Sequence, residues 1–100
     1  MTSRAVVVAN ELGLHARAAA RFVQLATRFQ SQIRVGRDTK MMDGKSILGI
    51  LLLAAAQGTT LTITADGPDE EPAIEALVRF VEAGFAEPTT ALGAGEPWNV

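Results

Sequence analysis

The residues of this 100-residue chain best suited to chemistry are one histidine, its neighbouring arginine and one serine ahead of an apolar stretch. His15 stands in Gly13-Leu14-His15-Ala16-Arg17, where the turn residues Asn10 to Gly13 give way to a run with helical spacing. The imidazole therefore falls at or beside a helix N-terminus. The first-turn amides of Ala16, Arg17 and Ala18 lack intrahelical partners, and with the helix dipole they form a backbone site suited to phosphate. Arg17 adds a planar guanidinium that matches phosphate oxygens. A neutral imidazole is a nucleophile. A phosphoryl group attached to it would lie over the helix amides, and its charge would then favour a positive ring, which makes transfer reversible. The plainer alternative is a surface histidine acting as an imperfect cap. One histidine without any cysteine builds no metal site, so neither metal nor cofactor is expected.

Ser46 precedes Ile47-Leu-Gly-Ile-Leu-Leu-Leu-Ala-Ala-Ala56, ten residues without a polar side chain. The stretch is too short for a bilayer, which needs about 20 residues, and no membrane insertion is expected. Ser46 suits an N-cap, and Gly58 would close the helix in a left-handed conformation. A helix apolar all round has more surface than one sheet can cover, so some of Ile47, Leu48, Leu51 and Leu52 should be exposed as a partner surface. The other outcome is that these residues simply fill the core. Gly44-Lys45-Ser46 is not a nucleotide loop, because the glycine needed five residues earlier is Thr39. Phosphate on Ser46 would be tolerated by the helix dipole and would add nearly two negative charges beside the apolar patch.

Seven elements would position these groups. Arg4 to Ala9 is a β-branched strand. Ala16 to Phe29 follows as a helix, with Ala19, Phe22, Val23, Leu25, Ala26 and Phe29 on one side and Arg17, Arg21, Gln24 and Arg28 on the other. Gln32 to Val35 and Thr39 to Met42 read as a hairpin turning at Gly36 to Asp38. The Ser46 helix comes next, then the alternating strand Thr60 to Thr64 with Leu61 and Ile63 inward. Asp69 would cap a last helix with the stripe Ile74, Leu77, Val78 and Val81, ending near Gly84, and Pro72 is tolerable in its first turn. The order predicts an α+β fold: a two-layer open-faced sandwich, with a four-stranded, mostly antiparallel sheet covered on one face by three helices. Residues 1–87 form the expected domain, and 88–100, rich in Gly, Pro and Thr, a loosely ordered C-terminal tail.

Composition narrows the function. At this length folding buries roughly 60–65% of the chain's surface, enough for one core and a shallow site but no deep substrate cavity. A small acid–base enzyme using His15 would need a cleft and a second titratable group. The net charge of −2 hides an asymmetry. Residues 1–50 carry eight Lys/Arg against three acids, net +5, and residues 51–100 carry one Arg against eight acids, net −7. A basic face of this kind suits an acidic partner or an anion. Nucleic acid is not the expected partner: no aromatics interleave with the basic residues. No secretory signal pattern opens the chain, and absent cysteine fits a cytoplasmic location.

Gly13-Leu-His-Ala-Arg17 before an alanine-rich helix, followed by Gly44-Lys-Ser-Ile-Leu-Gly-Ile50, resembles the histidine-containing phosphocarrier (HPr) family of the phosphoenolpyruvate-dependent phosphotransferase system. The likeness covers residues 3 to 86. It implies a monomeric carrier, not an independent enzyme, in which His15 takes a phosphoryl group on Nδ1 from phosphorylated enzyme I. The carrier would pass it to enzyme IIA-type proteins, in sugar uptake or its regulation, with Arg17 steadying the group. It further implies that Ser46 matches a position phosphorylated in some lineages by HPr kinase/phosphorylase. Arg21, Lys45, Ile47, Leu48, Leu51 and Leu52 would belong to the docking face. Two positions depart from the family pattern. Ala18 stands where the family usually has proline, which restores a backbone N–H in the first turn. Leu12, with Gly13, looks more like the nitrogen-related branch. A second reading keeps His15 idle and makes the chain a non-catalytic regulatory module acting through Ser46 and the apolar patch.

Overall fold

The structure, a computed structural model, describes residues 1–85. The expected tail, 88–100, and the last two residues of the expected domain lie outside the described residues. Seven elements follow in the order βαββαβα: β1 (Thr2–Val7), α1 (Ala16–Ala26), β2 (Gln32–Arg37), β3 (Lys40–Asp43), α2 (Ile47–Leu52), β4 (Thr60–Asp66) and α3 (Glu70–Glu82). The sheet order is β1-β4-β2-β3 and every pair is antiparallel.

Alternation along the strands produces the two layers. Register places Val6 opposite Leu61 and Val35 opposite Ile63, so these side chains share the face beneath the helices. Ala19, Phe22, Ile50, Leu53, Ile74, Leu77 and Val81 meet them there, all buried. Each fully buried aliphatic or aromatic side chain contributes roughly 1.5–3 kcal/mol, which ties the helices to the sheet more firmly than their own propensity does. The other face carries Thr60, Thr62 and Arg34 to solvent.

Element boundaries differ from the sequence expectations in informative ways. β1 lies two residues earlier than Arg4 to Ala9, because pairing with β4 begins at Thr2 opposite Ala65. α1 stops at Ala26 and not at Phe29: Arg28 and Phe29 donate to carbonyls three residues back, and Lys45 Nζ donates to the Phe29 carbonyl at 2.7 Å. The hairpin turns at Asp38-Thr39, not at Gly36 to Asp38. Asp38 takes φ 55°, while Gly36 stays paired with Met41 inside the ladder.

α2 ends at Leu52, well short of Gly58. Ala54, at φ 49°, makes the left-handed turn, a conformation that costs a non-glycine residue about 1–2 kcal/mol. Arg37 supplies a cap, with Nη1 donating to the carbonyls of both Leu53 (2.9 Å) and Ala54 (2.7 Å). Asp69 is the N-cap of α3 by position, but its carboxylate caps nothing in that helix. It accepts instead from the N–H groups of Gln30 (2.8 Å) and Ser31 (2.9 Å) and from the Ser31 hydroxyl, tying the start of β2 to the start of α3. Glu70 Oε1 takes over locally, accepting from Gly67 N–H at 3.1 Å.

Candidate functional site

His15 is the N-cap of α1, as its position in the motif predicts. Its backbone is extended, at φ −80° and ψ 178°, and its carbonyl accepts the first intrahelical bond from Ala19 N–H at 2.8 Å. Nδ1 faces the helix and accepts from Ala18 N–H at 3.4 Å. That contact is long for a hydrogen bond, so it orients the ring without holding it tightly. In a neutral ring that contact matches a lone pair on Nδ1 and a proton on Nε2. The N–H groups of Ala16 and Arg17 have no acceptor among the described residues, and the first turn of α1 contains no acid.

Two loops hold this histidine. Asn10 Nδ2 donates to the Gly13 carbonyl at 2.8 Å, and Gly13 N–H donates back to the Asn10 carbonyl at 3.2 Å. From the other side, Leu14 N–H donates to the Ala55 carbonyl at 2.8 Å. Gly13 has φ 67°, and a Cβ there would lie 2.6 Å from the Ala55 oxygen, so only glycine fits both the turn and the close approach.

Around the histidine, Arg17 is exposed and makes no hydrogen bond or ion pair with a described residue, while Arg21, four residues on, shares its side of α1 and is half-buried. Ser46 caps α2 as expected, its Oγ accepting from Gly49 N–H at 3.1 Å. Ile47 (45% exposed), Leu48 (67%) and Leu52 (54%) are open to solvent, whereas Leu51 is partly buried against the core. The apolar helix is thus split: Ile50 and Leu53 serve the core, and three others form a surface patch. Lys45 is engaged with the Phe29 carbonyl and contributes to the fold as well as to surface charge. α1 and α2 pack on one another, which brings the His15 end and the patch onto the helical layer. Sequence reasoning missed Arg37, Ala54 and Ala55, whose roles depend on contacts 16 or more residues apart.

Among the described residues no cluster of three or more His, Cys, Asp or Glu could hold a metal ion, and no helix is long and apolar enough to cross a membrane. A hollow of about 280 Å³ lies on the open face of the sheet, lined by Ser3, Arg34, Met41 and Thr64 among others, on the side away from the helices. It takes no part in the His15 site.

A half-buried histidine over the first turn of an amphipathic helix with a basic outer side, on an open-faced sandwich, defines a class of small α+β proteins that carry their candidate site on the surface. The chain belongs to the PTS-HPr family, whose model, described as the PTS HPr component phosphorylation site, matches residues 2–83. Phosphocarrier protein HPr of Cupriavidus necator is 45% identical over 87 residues, covering 87% of this chain and 98% of that protein. The crystal structure of HPr-C-His from Thermoanaerobacter tengcongensis superposes with a TM-score of 0.84 at 46% identity, covering 89% of this chain and all of that one. A structure of an HPr dimer from the same organism matches with a TM-score of 0.69 at 47% identity, over 87% of this chain and all of that one.

Proposed function

We propose that this protein is a phosphocarrier of a phosphotransferase relay, with His15 as the residue phosphorylated, and that it works as a monomer in the cytoplasm. The observation that carries the residue assignment is the orientation of the imidazole, with the Nδ1 lone pair toward a helix N-terminus whose first turn contains no acid. The Nδ1 lone pair attacks the phosphorus of the donor's phosphohistidine. A new N–P bond forms as the donor's N–P bond breaks, and the donor imidazole keeps the electron pair. The ring proton stays on Nε2. As the phosphoryl group arrives, Ala18 N–H exchanges Nδ1 for a phosphoryl oxygen, and the N–H groups of Ala16 and Arg17 with the Arg17 guanidinium supply further donors. Transfer onward to an acceptor histidine reverses the same step.

Enzyme I is the donor and enzyme IIA-type proteins are the acceptors. Both dock on the helical layer through Arg17, Arg21 and Lys45 and the apolar side chains of Ile47, Leu48 and Leu52, with Leu51 supporting them. Phosphorylation of Ser46 by HPr kinase/phosphorylase would regulate this surface. The phosphate would displace the Gly49 contact and set negative charge beside the patch that an acidic partner must approach.

Incubation with phosphoenolpyruvate and active enzyme I, read by intact mass, tests the assignment. One added phosphate that mild acid removes, absent in His15→Ala, is the expected result. An acid-stable phosphate, or an acid-labile one that survives His15→Ala, would overturn it.

A further inference from the structure

We infer that Arg37 is a positioning residue for His15, acting through the turn that ends α2; the inference rests on His15 being the phosphoryl acceptor. A continuous set of contacts connects the two. Arg37, at the end of β2, directs Nη1 at the carbonyls of Leu53 and Ala54. Those carbonyls emerge where α2 gives way to Ala54, a non-glycine residue at φ 49°. The residue after it, Ala55, is buried, and its carbonyl accepts from Leu14 N–H at 2.8 Å, one residue before His15. The Ala55 oxygen also lies so close to Gly13 that a Cβ there would approach to 2.6 Å.

The placement of His15 over the first turn of α1 therefore depends on the Ala55 carbonyl, and that carbonyl depends on the Ala54 turn. Within α2 only backbone bonds hold the turn, from Leu53 N–H to the Ile50 carbonyl at 3.2 Å and from Ala54 N–H to the Leu51 carbonyl at 3.0 Å. The helix has six residues, no basic residue in its last turn and no glycine at the left-handed position. An alanine adopts that conformation reluctantly, and the two hydrogen bonds from the Arg37 guanidinium oppose its escape. Without them the turn relaxes, the Ala55 carbonyl moves, and the Leu14-His15 backbone loses its support. Small displacements of a reacting group suffice to slow a group transfer. Arg37 does not touch His15, and its remaining contact is an exposed ion pair with Asp38 at 3.6 Å.

The test uses the full chain with Arg37→Met and the double variant Arg37→Met/Ala54→Gly. Glycine adopts the left-handed turn without strain, so it replaces what Arg37 does for the turn while restoring neither charge nor hydrogen bonds. Two readouts are taken: the rate of transfer from phosphorylated enzyme I, and the ¹⁵N signals of the His15 ring, which report its tautomer and surroundings without any activity. Arg37→Met is expected to slow transfer about fivefold and to move the ring signals, and the added Ala54→Gly to recover most of both. Ring signals and rate unmoved by Arg37→Met would overturn the inference. So would a slowed rate that Ala54→Gly leaves unrecovered, because Arg37 would then be acting as a charge read by enzyme I. Ring signals that move and recover in a protein whose His15 never gains phosphate would instead overturn the carrier assignment alone.

Discussion

α1 and α3 both begin at a helix N-terminus on the same layer of the sandwich, yet their first turns are opposite in character. α3 begins with Asp69, Glu70 and Glu71, and its dipole meets its own acids. Glu70 is held down to about 2 from 4.5, chiefly by the Thr2 hydroxyl at 2.6 Å, then by the chain's amino terminus at 2.9 Å and by Gly67 N–H. Asp69 is also lowered from 3.8, first by the Ser31 hydroxyl and then by Gln30 N–H. α1 begins with His15, Ala16 and Arg17, carries no acid, and retains two N–H groups without an acceptor among the described residues. The dipole of α3 therefore faces carboxylates held by the fold, whereas the dipole of α1 faces none and its first turn is open to an anion. The proposed carrier site is marked as much by the lack of a carboxylate in the first turn of α1 as by the imidazole of His15.

Making α1 resemble α3 should break the contrast most severely. Ala16 is exposed, so Ala16→Glu introduces a first-turn carboxylate with no packing cost. The dipole should raise stability by about 0.3–1 kcal/mol. Phosphoryl transfer should nevertheless fall roughly tenfold or more, about 1.4 kcal/mol of barrier or greater. Initial rates of acid-labile phosphate formation, compared with thermal unfolding, check both. An unchanged rate would mean that the open first turn is unnecessary.

Opening α3 should have the opposite profile. Ser31 is the buried polar residue that satisfies the Asp69 carboxylate, so Ser31→Ala should cost about 1 kcal/mol in urea unfolding and leave transfer unchanged. The smallest effect concerns pH. Because Glu70 is depressed in the fold, the stability it contributes is fully present above 4.5 and is lost as pH falls through about 2. Glu70→Gln should flatten that part of the stability profile below pH ~4.5 while Asp69 preserves the remainder. An unaltered profile would remove Glu70 from the account.

Much of this was legible in the residues. Alternation in Thr60 to Thr64 identified β4 and its inward Leu61 and Ile63, and period 3.6 identified α1 and α3 with their buried stripes. The Ser46 cap followed from its side chain, and the exposure of some of Ile47, Leu48, Leu51 and Leu52 from an all-apolar helix too large for one interface, but that Leu51 is the one packed on the core did not. Helix ends were less legible. Phe29 continues the apolar period of α1 but packs on the core from a turn, and Gly58 was a better left-handed candidate by composition than Ala54. Asp69 has the side chain of a cap, and no local signal distinguishes a carboxylate that caps from one that binds Gln30 and Ser31.

Element type and face depend on the period of side chains along the chain, which is a local property, and the sequence by itself therefore determined the sandwich, the placement of His15 at a helix start and the basic character of α1. Where α2 stops, which carboxylate serves which helix, and what holds the His15 loop depend on groups such as Arg37 and Ala55 meeting partners distant in sequence. Only the tertiary structure decided these, because a long-range hydrogen bond can stabilise a backbone conformation that local propensity disfavours.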